Sequence, residues 1–133
     1  MAQTIGRRAL IEDVTWVISQ GATNSFALQW NVGTDAEPEL YDFTGHQARC
    51  QARRKPGAEP WFTLTEGEGL DGRIWIDGTQ LTVELYPEAS TEWRQANKAG
   101  QWDLEIASPD GEVTRLAMGP VEVSLEITAT EEV

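Results

Sequence analysis

Residues 100–128 read GQWDLEIASPDGEVTRLAMGPVEVSLEIT, and their patterning gives the strongest indication of a fold class. Trp102, Leu104 and Ile106 alternate with polar side chains before the turn sequence Pro109-Asp-Gly111. Alternation resumes after this turn, at residues 113–118 and again at 121–127. A period of two is typical of a strand with one face in the core and one in water. The block therefore predicts a β-hairpin followed by a further strand.

The same period of two recurs along most of the chain. It is strong at residues 26–32 and 81–85 and weaker at 14–18 and 62–64. Turn signals separate these runs at intervals of about 8–12 residues, which indicates a β-sandwich or a barrel. In the run 47–54, small side chains alternate with long polar ones, as in a crowded central strand; the small residues are Ala48, Cys50 and Ala52, and the polar ones are Gln47, Arg49, Gln51 and Arg53.

One segment departs from the strand pattern. Residues 87–99 read PEASTEWRQANKA and are rich in helix-forming residues. Ser90 or Thr91 is placed to cap such a helix, and Gly100 to end it. The predicted fold is therefore all-β: a single antiparallel β-sandwich with one short helix in a crossover.

A length of 133 residues fits one domain, since a domain usually takes about 100–200. We predict that residues 1–133 form this single domain, with the sandwich spanning about 10–128. The ends, 1–9 and 129–133, are predicted to be flexible arms.

Charge and composition exclude several classes of function. The chain has 10 Lys and Arg against 22 Asp and Glu, a formal charge of −12. Nucleic acids and anionic membranes are bound through Lys and Arg, so we expect neither as a partner. No apolar run approaches the roughly 18 residues of a membrane span, and the N-terminal residues lack the apolar core of a signal peptide. A single Cys and a single His rule out an internal disulfide and a cysteine-based metal site.

Three groups of residues invite a chemical interpretation, and each has a plainer one. His46 has no recognisable nucleophile or orienting motif beside it, so we interpret it as a surface histidine. Cys50 falls on the small-residue face of its strand, which favours a core position over a reactive thiol. The acids of the glycine-rich loop make calcium conceivable but do not match an EF-hand, so we expect a solvated loop; they are Glu66, Glu68 and Asp71, with Asp77 nearby. No enzyme activity, metal or cofactor is predicted.

Two features predict an interaction surface. The basic cluster Arg49, Arg53, Arg54 and Lys55 stands out in an acidic chain. It either meets an acidic surface of a partner or another copy, or consists of ordinary solvated side chains. Of the six tryptophans, Trp61 and Trp75 are predicted to be the most exposed, and exposed aromatic residues are common in interfaces. An aromatic platform for sugars is the alternative interpretation of these two.

The order of these motifs resembles that of small phage tail and baseplate proteins. Residues 41–53 read YDFTGHQARCQAR, and the block 100–128 matches the group's second half. Phe43 stands where that pattern has leucine, and Trp102 where it has tyrosine. The resemblance spans about residues 10–128, and this region is similar to the N-terminal domain of phage baseplate upper proteins.

This resemblance implies an immunoglobulin-like sandwich that serves as a virion building block and carries no catalytic residue. The implied role is a non-enzymatic structural component of a bacteriophage tail, baseplate or neck, assembled in the host cytoplasm. Its partners would be other virion proteins and copies of itself. Two alternatives remain: a capsid decoration or head–tail connector protein of the same fold, and a carbohydrate-binding module that uses exposed Trp.

Overall fold

The computed structural model describes residues 13–127, and nine strands in two sheets account for about half of them. The predicted all-β fold is confirmed for this part of the chain. One sheet has five strands, in the order β1 (Trp16–Ser19), β9 (Val113–Ser124), β8 (Ala99–Ala107), β3 (Gln47–Arg53) and β4 (Pro60–Thr65). The other has four, in the order β2 (Asn24–Leu28), β7 (Gln80–Leu85), β6 (Gly72–Asp77) and β5 (Gly67–Glu68).

The strand pairs are antiparallel with one exception. β1 runs parallel to β9, with Trp16 opposite Val121 and Ser19 opposite Ser124. The prediction of a wholly antiparallel sandwich is therefore wrong at this edge. β1 and β9 are separated by most of the chain, so no tight turn imposes an antiparallel direction on them.

One hydrophobic core lies between the two sheets and contains side chains from both. An aromatic cluster closes it near β1, where Trp16, Phe26 and Trp102 meet edge to face. Their ring centroids lie 5.0–5.6 Å apart, the arrangement that aromatic quadrupoles favour. The indole nitrogen Nε1 of Trp102 donates a hydrogen bond to the Val14 carbonyl oxygen at 2.8 Å. This bond fixes the chain just before β1.

The crossover from β7 to β8 holds two short 3₁₀ helices, Pro87–Ala89 and Gln95–Asn97, so the single capped helix predicted there is not confirmed. Ser90 is fully buried, and its Oγ accepts a hydrogen bond from the Gly21 backbone N–H instead of capping a helix. Gln20 Nε2 donates to the carbonyl oxygens of Ser90 and Trp93, at 3.0 and 2.9 Å. These bonds attach the crossover to the turn after β1, and Gly100 lies within β8.

The predicted arms, 1–9 and 129–133, lie outside the described residues. Between residues 13 and 127 the structure contains no helix long and apolar enough to cross a membrane.

Candidate interaction surface

The basic cluster predicted from the sequence divides into two parts. Arg49 and Arg53 lie on the outward face of β3, as the alternation predicts. Arg49 Nη2 lies 3.1 Å from Glu105 Oε1 on β8. Arg53 is half-buried, donating to the Ala58 carbonyl oxygen and, at 2.9 Å, to Gln51 Oε1. Arg53 therefore stabilises the turn after β3 and is less available to a partner than its neighbours.

Arg54 and Lys55 are the part of the cluster that is exposed and not ion-paired. Both lie in the turn between β3 and β4, and neither has an acidic group within 4 Å among residues 13–127. Lys98, at the end of the crossover, lines the same open groove as Arg54 and is likewise exposed without an ion pair in the described chain. Glu122 forms part of the groove wall. We call Arg54, Lys55 and Lys98 the basic end of the molecule.

The outward face of the five-stranded sheet carries two ion pairs between neighbouring strands. Arg115 Nε on β9 lies 3.5 Å from Asp103 Oδ2 on β8, beside the pair of Arg49 and Glu105. Burial and the neighbouring Glu105 raise the pKa of the Asp103 carboxyl, and nearby arginines, Arg115 first, only partly offset this. Ionisation of Asp103 therefore costs more free energy in the folded protein than in the unfolded chain.

Replacing Asp103 with asparagine is expected to stabilise the protein at neutral pH. A carboxyl whose folded pKa is raised binds protons more tightly in the folded state, so its ionisation costs stability as the pH rises through that pKa. Asparagine has no such cost. The stability gained by Asp103→Asn relative to the wild type should shrink in acid, where Asp103 of the wild type becomes protonated. Urea denaturation at neutral pH and at about pH 3.5, below the usual Asp pKa of about 3.9, measures both effects.

The matched control is Asp110→Asn. The Ser108 hydroxyl lowers the pKa of Asp110, so that carboxylate contributes stability at neutral pH that is lost as the pH falls through its pKa. Asp110→Asn should therefore destabilise the protein at neutral pH, which is the opposite of the effect expected for Asp103→Asn. A lower urea midpoint for Asp103→Asn at neutral pH would contradict our interpretation of Asp103.

The two tryptophans predicted to be exposed do not form one surface. Trp61, on β4, is half-buried, with its ring centroid 5.4 Å from that of Trp93. Trp75, on β6 of the other sheet, is 38% exposed, and the Arg73 guanidinium carbon lies 4.2 Å from its ring centroid. The two rings make no contact with each other. A sugar platform that uses both is therefore not assembled.

The remaining candidate residues are engaged in local structure. Cys50 is a fully buried core residue, and burial raises the pKa of its thiol. His46 Nε2 lies 2.7 Å from the hydroxyl oxygen of Tyr41, and the residue is partly buried. Glu68 Oε2 accepts a hydrogen bond from the Tyr86 hydroxyl at 3.1 Å. Within residues 13–127, no three or more His, Cys, Asp or Glu side chains are grouped so that they could hold a metal ion.

Neither the models of known protein families nor the curated proteins contain a match to this chain. Sequence reasoning did not associate Lys98 with Arg54, because Lys98 reaches the groove that Arg54 lines only through the path of the crossover. It also did not single out Arg115, which the register of β8 and β9 places opposite Glu105 and which forms its ion pair with Asp103, two residues away along β8.

Proposed function

We propose that this chain is a non-enzymatic structural protein of a bacteriophage particle, located in the tail, baseplate or neck. It acts by binding other virion proteins and copies of itself, and it enters the particle in the host cytoplasm. The observation that carries the proposal is the basic end: in a chain of charge −12, three exposed cations at one end have no acidic partner among the described residues. Unpaired cations in an acidic protein are suited to an acidic surface of another subunit.

The strand order supports an immunoglobulin-like sandwich, which the sequence resemblance implies. In such domains strands B, E and D are neighbours in one sheet and C, F and G in the other. The order β2-β7-β6 corresponds to the first set and β3-β8-β9 to the second. This correspondence supports the immunoglobulin-like fold on grounds other than the sequence motifs.

The charge distribution suits directed assembly. Opposite charges accelerate encounter and determine which surfaces meet, while the large net charge keeps free subunits soluble. Arg54 and Lys55 occupy a turn that projects beyond β3 and β4, so a partner can reach them without disturbing either sheet. An acidic surface on a neighbouring virion protein is the partner that this end would select.

The location can be tested by mass spectrometry of purified phage particles separated into heads and tails. Our proposal expects the chain in the tail fraction, in several copies per particle. Its presence in heads alone would favour the capsid decoration alternative, and its absence from both fractions would refute a virion role.

Neutralising the basic end should reduce incorporation into particles. We expect Arg54→Gln with Lys55→Gln to weaken binding about tenfold, since about 0.7 kcal/mol per exposed charge gives this factor for two. Quantitative mass spectrometry of particles assembled with limiting amounts of the variant measures the loss.

A second double variant controls for net charge. Gln47→Glu with Gln80→Glu changes the charge equally, at exposed positions that begin β3 and β7, away from the basic end. This control should be incorporated normally. Equal incorporation of both double variants would refute a role for the basic end.

A further inference from the structure

A long neutral stretch interrupts the charged sequence. None of the residues from 14 to 34 is Asp, Glu, Lys or Arg. With 24% charged residues in the chain, a stretch of this length would ordinarily contain about five. The stretch ends at Asp35, where an acidic loop begins. Neutral sequence is thus concentrated in one part of an otherwise acidic protein.

This stretch forms two edge strands that lie side by side. β1 is at the edge of the five-stranded sheet and β2 at the edge of the four-stranded sheet. They belong to the same side of the sandwich, because Trp16 of β1 and Phe26 of β2 are in ring contact at 5.0 Å. Among residues 13–127, β1 pairs with β9 alone and β2 with β7 alone. Each strand therefore has one edge without a strand partner among these residues; at the end of β1 the Asn24 side chain binds the backbone N–H and carbonyl oxygen of Ser19.

An apolar groove of about 270 Å³ opens between the two strands. Phe26 and Leu28 of β2 line it and are only partly buried, and Val14 at its rim is 39% exposed. Ser25 and Ala27, on the outward face of β2, are small and exposed, so they would not crowd the side chains of a strand paired beside them. We call β1, β2 and this groove the neutral side of the molecule.

The other edges of the two sheets are flanked by acids. β4 lies between Glu59 and Glu66, and the two-residue strand β5 contains Glu68. Charged residues at an edge prevent pairing with another sheet, and proteins usually protect their edges in this way. Asp13 and the Glu126 carboxylate beside Gly21 lie near β1, but β2 lacks this protection, because its neighbours in sequence, Thr23 and Gln29, are neutral. The unprotected edge of β2 indicates that it is kept for a specific contact.

We propose that the neutral side binds a second copy of this chain, with β2 of each copy pairing antiparallel across a two-fold axis. Charge favours contact between two copies at this surface. Two copies of charge −12 repel each other, and their repulsion is smallest where both contacting surfaces are neutral. A two-fold contact places the same surface on both copies, so a neutral surface meets a neutral one. Pairing would join the four-stranded sheets and cover the groove, with Phe26 of one copy next to the same residue of the other.

This contact differs from the basic end in its response to salt. Salt screens the repulsion between two acidic copies, so pairing through the neutral side should strengthen as salt is added. Binding through the basic end should weaken, because salt screens attraction there. The two proposals can therefore fail independently.

The test is sedimentation velocity of the purified full chain over a range of concentrations. We expect monomer at low salt and dimer at about 0.5 M NaCl, where the Debye length is about 4 Å. Ala27→Lys should raise the dimer dissociation constant at least about tenfold, as a charge on an edge strand opposes pairing. This variant also lowers the net negative charge, so long-range electrostatics alone would predict the opposite change.

The matched control is Thr65→Lys, which places the same charge on the exposed face of β4. It should leave the dissociation constant unchanged, and circular dichroism should show that both variants are folded. A chain that stays monomeric at high salt would overturn the proposal, and the groove would then be open to residues 1–12 or to another virion protein. A dimer that Thr65→Lys weakens and Ala27→Lys does not would also overturn it.

Discussion

Replacing Trp102 with alanine is expected to lower the free energy of unfolding by about 3–5 kcal/mol. Trp102 is 4% exposed and touches both Trp16 and Phe26, so its loss leaves a cavity where the two sheets meet. It also leaves the Val14 carbonyl oxygen without its donor. Domains are typically stable by about 5–15 kcal/mol, so a large share of the total would be lost. Urea denaturation followed by far-ultraviolet circular dichroism measures the change.

Two further variants separate the causes. Trp102→Phe retains an aromatic ring but has no N–H donor, and it should cost less, about 1–3 kcal/mol. Trp75→Ala, on the outward face of β6, should cost less than about 1 kcal/mol, the usual worth of an exposed cation–π contact. If Trp102→Ala costs no more than Trp75→Ala, the aromatic cluster does not stabilise the sandwich as we infer.

Most strands could be predicted because a period of two directly reflects burial on one face. The runs at 47–54, 81–85 and 102–106 all correspond to strands whose buried positions follow the predicted phase. The phase fails in β9, where the neighbouring residues Leu116 and Ala117 are both buried. A shift in register between Leu104 and Glu105 explains this, because a bulge turns consecutive side chains to one face.

Strand ends depended on contacts that sequence patterning does not show. The alternation at 26–32 predicts one continuous strand, but β2 ends at Leu28. Beyond it, the Trp30 carbonyl oxygen accepts a hydrogen bond from Tyr41 N–H, and the Val32 N–H donates to the Glu39 carbonyl oxygen. The chain therefore folds back on itself instead of continuing along β7.

Long-range contacts also explain the crossover and the candidate site. Helix propensity at 87–99 is a local preference, whereas Gln20 and Gly21 bind the crossover from about 70 residues away. The outward direction of Arg49 and Arg53 followed from alternation within one strand. The grouping of Lys98 with Arg54 did not, since it requires the crossover to end beside the β3–β4 turn.

Gly119→Ala is expected to destabilise the protein by about 3 kcal/mol or more, at or above the upper end of typical overpacking effects. A Cβ at this position would lie 2.0 Å from the Val14 carbonyl oxygen and 2.6 Å from the Val14 nitrogen. Both are backbone atoms, so the chain leading into β1 would have to move away from β9. Amide hydrogen exchange that accelerates more in β1 than in β7, relative to the wild type, would show that the loss of stability is centred on β1.

The matched control for Gly119 is Gly69→Ala, whose added Cβ would approach the Gly72 carbonyl oxygen no closer than 3.3 Å. A shift of a few tenths of an ångström relieves that contact, so the cost should be small. Equal costs for the two alanine variants would show that contact with Val14 is not the cause at 119.

Trp102 and Gly119 should act on stability through the same atoms. They lie opposite each other on β8 and β9, and both meet the Val14 carbonyl oxygen, one as a hydrogen-bond donor and the other by close approach. Once Gly119→Ala has displaced Val14, the Trp102 donor has already lost its acceptor. The double variant Trp102→Phe with Gly119→Ala should therefore cost less than the sum of the single variants, by about 0.5–3 kcal/mol. Strict additivity would mean that the two residues hold β1 independently, which their shared contact with Val14 argues against.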